Sequence, residues 1–166
     1  MRGGRVRRAV RALPVLVALA WFAAPAQAFR LADGTVMQCV ARGEVVPESL
    51  APAGDVAMKG RTGWAREEGG RWVITWNAER LAGLAPQLRD FLFFHECAHA
   101  RVPTAVELEA NCAGLIDMRR AGRAGPDYER TLRGLVNMKE TYWQDTFACA
   151  DAWFERERAR GALPPS

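Results

Sequence analysis

The sequence predicts an α+β fold in which a small antiparallel sheet is followed by three helices. Three observations carry this. A run dense in aromatic and β-branched residues, Arg71 to Asn77, follows the pair Gly69-Gly70. An uninterrupted helical pattern opens at Pro86 and meets Pro103. Two further helical stretches are separated by Gly122 and Gly125-Pro126. β-Branched and aromatic residues suit a pleated, half-buried surface, and Gly and Pro punctuate between elements.

In chain order, residues 1–28 read as a secretory signal peptide. Arg2, Arg5, Arg7, Arg8 and Arg11 form a positive leader, Leu13 to Ala24 an apolar stretch, and Ala26-Gln27-Ala28 a small-residue cleavage site. The apolar run is shorter than the roughly 20 residues that a bilayer span needs. The expectation is one mature domain, residues 29–166, periplasmic or secreted, with no stable membrane span after cleavage. The whole chain carries 23 Lys and Arg against 19 Asp and Glu, a formal +4. Five of those arginines and none of the acids lie in the leader, so the mature chain stands at −1. Nothing in it forms the basic patch that collects phosphates, which argues against nucleic acid as a partner. Cys39, Cys97, Cys112 and Cys149 all lie beyond the leader. An even count in an oxidising compartment predicts two disulfides, with three pairings open.

Thr35 to Val40 fits a short strand. Residues 47–54, with Pro47, Pro52 and Gly54, read as a loop. Gly69-Gly70 is a turn, Arg71 to Asn77 a strand, and Gly63-Trp64 the start of its hairpin partner. Pro86 suits a first helical turn, and the helix reaches Arg101 before Pro103 blocks it. Thr104 caps a second helix running to Ala121. Asp127 caps a third, long helix. Its apolar residues Leu132, Leu135, Val136, Trp143, Phe147, Ala150 and Phe154 recur at helical spacing.

The chain has only two histidines, and they stand four apart: His95-Glu96-Cys97-Ala98-His99. On a helix these positions lie one above the other, so both imidazoles reach one metal ion. Glu96 is about 100° round from His95, which puts its carboxylate beside the metal. There it can take a proton from the attacking water and pass it to a leaving amine. Zinc suits two nitrogens and one carboxylate with a fourth position open.

Downstream stands Glu107-Leu108-Glu109-Ala110-Asn111-Cys112. Together with His95-Glu96-Cys97-Ala98-His99 it resembles the metal-binding core of the gluzincin metallopeptidases. It is similar to small exported bacterial metallopeptidases that carry H-E-C-x-H followed by E-A-D-C. The resemblance covers roughly residues 71–120. It implies a zincin-like fold, with an HExxH helix, a second ligand helix and a long C-terminal helix. It implies zinc held by His95, His99 and Glu107, with Asn111 orienting a ligating histidine where the family has an acid. Thr104 and Glu107 also match a capping box, in which Glu107 would bond the cap backbone and Glu109 would be the ligand instead. If both helices face one ion, their cysteines approach, which pairs Cys97 with Cys112 and Cys39 with Cys149. Tyr142, Tyr128 and Arg101 are candidates to stabilise the oxyanion, Tyr142 foremost. The strand Trp72 to Asn77 is the expected seat of a peptide or protein substrate added as a further strand. The expected activity is zinc-dependent peptide hydrolysis. The alternative is a non-catalytic, zinc-stabilised binding module of the envelope. Oligomeric state is not legible.

Overall fold

The computed structural model of the chain describes residues 28–162. The leader reading therefore falls outside the described residues, Ala28 apart. Two minimal hairpins come first. β1 (Phe29–Arg30) pairs antiparallel with β2 (Val36–Met37), and β3 (Val40–Ala41) with β4 (Glu44–Val45). The strand expected over Thr35 to Val40 is divided between these ribbons. Cys39 leaves the ladder, its N–H turning to the carboxylate of Glu48 at 3.1 Å.

Glu48 belongs to β5 (Glu48–Leu50), inside the stretch that reads as a loop. Pro47 before it and Pro52 beyond it suit a sheet edge and mask a strand this short. β6 (Gly63–Glu68) and β7 (Arg71–Trp76) form the expected hairpin. Gly69 and Gly70 join them at φ 57° and 81°, the mirror-image turn whose twist matches antiparallel strands. β5 lies parallel to β7, so the sheet is mixed, in the order β5-β7-β6, and not purely antiparallel. The buried Glu48 carboxylate locks that edge by accepting from Trp76 Nε1 at 2.8 Å. Burial pushes Glu48 above the usual carboxylate range.

A short α1 (Ala78–Ala82) follows, capped by the Asn77 side chain. α2 (Pro86–Arg101) has the bounds its two prolines predict. It is buried on most of its surface, because the sheet, the first hairpins and the next helices all pack on it. Phe93 meets Phe29 at 5.2 Å between ring centroids, and Phe29 meets Trp76 at 4.7 Å, joining helix to sheet.

α3 (Glu107–Arg120) starts later than Thr104. Thr104 Oγ1 accepts from Val106 N at 3.0 Å, a local turn that competes with helix initiation. The long third helix is in fact two, α4 (Pro126–Leu135) and α5 (Thr141–Ala159). Val136 is extended, at φ −103° and ψ 159°. Asn137 Oδ1 then accepts from Lys139 N at 3.3 Å, and its Nδ2 donates to Glu140 at 2.9 Å. Asn closing a turn on its own backbone outcompetes the apolar periodicity running through it. No helix among the described residues is long and apolar enough to cross a membrane.

Both disulfides form, but as Cys39–Cys97 and Cys112–Cys149 in place of the expected Cys97–Cys112 and Cys39–Cys149. Cys97 is two residues from His95 and two from His99, hence about 200° from each around the helix. The metal face and the cysteine face of α2 are therefore opposed, and Cys97 meets the N-terminal hairpins instead of α3. Cys112 in turn faces α5. Two disulfides are compatible with a periplasmic or extracellular setting.

The bridges close loops of 58 and 37 residues. Loop entropy makes each worth about 4 kcal/mol. Urea unfolding of the Cys112→Ser/Cys149→Ser chain is expected to show a loss of that order, and an unchanged midpoint would contradict it.

Candidate metal centre

Pro86 and Pro103 fix α2, and α2 fixes the spacing of His95 and His99. Their rings present Nε2 to one another at 3.2 Å. Glu107, on the first turn of α3, brings Oε2 to 3.2 Å from His95 Nε2 and 3.7 Å from His99 Nε2. These three side chains form a group that can hold a metal ion. Both histidines are buried, whereas the Glu107 side chain is 63 % exposed and reaches in from the rim.

The protonation pattern decides what such a cluster needs. His99 Nδ1 lies 2.7 Å from the Thr104 carbonyl, so that nitrogen carries the hydrogen and donates it. The neutral ring then has only a lone pair at Nε2. That lone pair, the facing His95 Nε2 and a carboxylate oxygen converge on one point. A single proton can bridge two of them; a metal ion satisfies all three. Hydrogen bonding from His95 holds the Glu107 carboxyl below its ordinary range, so the acid stands ionised. The donor set thus fits a metal.

Glu96 is held beside this group. Its Oε2 accepts from Ala65 N on β6 at 2.7 Å. Burial pushes its carboxyl up, and the neighbouring His95 opposes that. A cavity of about 730 Å³ opens here, lined by the two histidines, Glu96, Glu107 and residues of β6.

The other predicted residues are placed as follows. Glu109 accepts from the Thr104 hydroxyl at 2.5 Å. The Thr104 N–H that a capping Glu107 would use donates instead to the His99 carbonyl at 3.1 Å, which leaves Glu107 for the cluster. Asn111 is buried, but its Nδ2 donates to Thr146 Oγ1 at 3.3 Å. It does not serve either ring: His99 Nδ1 uses the Thr104 carbonyl, and His95 Nδ1 is buried without a partner. Tyr142, in the first turn of α5, is pushed up to about 12 by burial, then by the Glu107 charge. It stays a proton donor at any ordinary pH, yet it is not among the residues lining the cavity. Tyr128 donates to the Gln87 carbonyl at 2.6 Å, and Arg101 pairs with Asp117 at 2.5 Å. Both tie helices together away from the cavity.

Two glycines and a carbonyl complete the site and escape the sequence reading. A Cβ on Gly63 would fall 2.6 Å from Glu96 Oε1 and 2.7 Å from the Trp76 ring. A Cβ on Gly114 would fall 2.9 Å from His95 N. An interior helix glycine is itself a signal of close packing, and Gly114 is the one in α3. The Thr104 carbonyl has no side-chain signature at all. No protein-family model, no curated protein and no solved structure matches the chain.

Gly114→Ala is expected to lower unfolding free energy by about 1–3 kcal/mol and to weaken metal binding, because backbone must move. Gly134→Ala, in α4 with nothing within 4 Å, should instead stabilise by about 0.5–1 kcal/mol. Equal effects in denaturant titrations would refute this role for Gly114.

Proposed function

We propose that the chain is an exported, zinc-dependent metallopeptidase of zincin-like build. The observation that carries the reading is the triangle of ligand atoms, with edges of 3.2, 3.2 and 3.7 Å. Tetrahedral zinc with bonds near 2.05 Å has edges of about 3.3 Å. An octahedral site with bonds near 2.1 Å has edges of about 3.0 Å. The edges here are of the size that either geometry needs once the side chains close on an ion, and two imidazoles with one carboxylate favour zinc. Three protein ligands leave the fourth position of a tetrahedron open, as in catalytic rather than structural zinc sites.

Bound zinc supplies Lewis-acid activation of water and carbonyl. His95, His99 and Glu107 would hold it. Glu96, one residue past the first ligand and lining the same cavity, takes the proton of the attacking water and returns it to the leaving amine. The Ala65 N–H keeps the Glu96 carboxylate oriented for both transfers. Peptide is the favoured substrate because β6 is the open edge of the sheet and runs along the cavity. The seat expected on β7 moves to β6, since β7 is the central strand with both edges paired. Gly63, Ala65 and Glu67 turn their backbone groups outward from β7, available to an added strand except where Ala65 N–H serves Glu96.

A zinc-stabilised binding module without turnover is the second reading, favoured by the position of Tyr142 outside the cavity lining. Glu96→Gln separates the two. In a peptidase it should lower hydrolysis of a casein or mixed-peptide substrate by at least about a hundredfold while retaining one zinc per chain by elemental analysis. Glu107→Ala should lose the zinc, and Glu109→Ala should keep it. Hydrolysis that persists undiminished in Glu96→Gln would sink the mechanism.

A further inference from the structure

Among the described residues, one cation on the cavity wall stands in no ion pair. Arg61 lies in the turn before β6, and its guanidinium carbon is 4.8 Å from the centroid of the Trp64 ring. Arg66 approaches the same ring at 4.4 Å. All three residues line the cavity that holds the histidines. The two arginines differ in what else engages them. Arg66 donates from Nε to Glu68 at 2.7 Å and from Nη1 to Thr75 Oγ1 at 2.8 Å, with Nη2 at 2.5 Å from Glu68. Its charge is neutralised and its position fixed, which steadies the Trp64 ring beneath it. Arg61 makes no ion pair among the described residues, and the Trp64 ring is its support. Glu67, Glu96 and Glu107 line the same cavity, yet none of them pairs with Arg61: Glu107 is drawn to the histidines and Glu96 to Ala65 N.

We propose that Arg61, laid on Trp64, anchors a substrate carboxylate, so that the site selects peptides bearing an acidic side chain or a free C-terminal carboxylate. This rests on the metallopeptidase reading of the same cavity. A guanidinium stacked on an aromatic face is already partly ordered, is weakly hydrated, and keeps its planar fork of donors free for a carboxylate. An exposed cation of this kind in a cleft also draws anionic ligands from solution. Arg66, already committed to Glu68, cannot do this without breaking its own pair.

The test is the affinity of short peptide hydroxamates for the zinc-loaded chain, read by titration calorimetry. The hydroxamate chelates metal, so binding by any of them reports the metal centre independently of turnover. One set carries the hydroxamate at the N-terminal end, with Glu or Gln side chains and with a free acid or an amide at the C-terminus. A second set carries it at the C-terminal end, again with Glu or Gln. Comparing the arms separates a side-chain carboxylate from a terminal one. At least one carboxylate-bearing member should bind about tenfold more tightly than its neutral twin, the scale of one charged hydrogen bond. The gap should fall in 0.5 M salt and close in Arg61→Gln, while the neutral compounds bind that variant as they bind the parent, which also shows that it is folded. Equal affinity of every acidic and neutral pair, or a preference that survives in Arg61→Gln, overturns the anchor and leaves the metal site standing. Failure of all hydroxamates to bind overturns the metallopeptidase reading and the anchor with it.

Discussion

The contact on which the candidate site depends is the close approach of α3 to α2 at Gly114. The missing Cβ lets one helix backbone meet the other beside His95. Glu107, Asn111 and Gly114 follow at positions i, i+4 and i+7 and so share one face of α3. That face is turned to the histidine face of α2. The acid that completes the cluster is thus placed by a glycine about 10 Å away along the same helix. A metal site of two histidines and one acid needs tolerance of a few tenths of an ångström. Backbone packing supplies it here more firmly than the exposed Glu107 side chain could alone.

The remaining layers brace this pair of helices from outside. Cys39–Cys97 ties the N-terminal hairpins to the back of α2, and Cys112–Cys149 ties α3 to α5. Neither bridge crosses from α2 to α3, so the interface that carries the His-His-Glu cluster is held by packing and by the Arg101–Asp117 pair. On the open side, the sheet brings β6 against α2, where Ala65 N–H meets Glu96. Gly63 leaves room for that carboxylate as Gly114 leaves room for the helix crossing. Two glycines on different elements therefore set the positions of Glu96 and Glu107.

What was legible in the sequence follows a physical pattern. Local rules with strong signals held: Pro86 and Pro103 bracket α2, Gly69-Gly70 turns a hairpin, and the spacing of His95 and His99 stacks two imidazoles. Long-range choices did not show. Three disulfide pairings were open, and the one adopted depends on which face of α2 meets the hairpins. β5 is three residues between prolines, and its place in the sheet comes from a long-range parallel ladder to β7, reinforced by the buried bond from Trp76 Nε1 to Glu48. The break between α4 and α5 was hidden because Asn137 acts through its own backbone while the apolar period continues across it. The Thr104 carbonyl that fixes the His99 tautomer is a backbone atom and leaves no trace in residue identity.

The most direct measurement of the account is anomalous diffraction at the zinc edge on crystals of the chain grown with zinc. The account predicts one strong peak about 2.0–2.2 Å from His95 Nε2, His99 Nε2 and a Glu107 carboxylate oxygen, with Glu96 beside it and not bonded to it. No peak at that position, or a peak bound through Glu109 in place of Glu107, would contradict it.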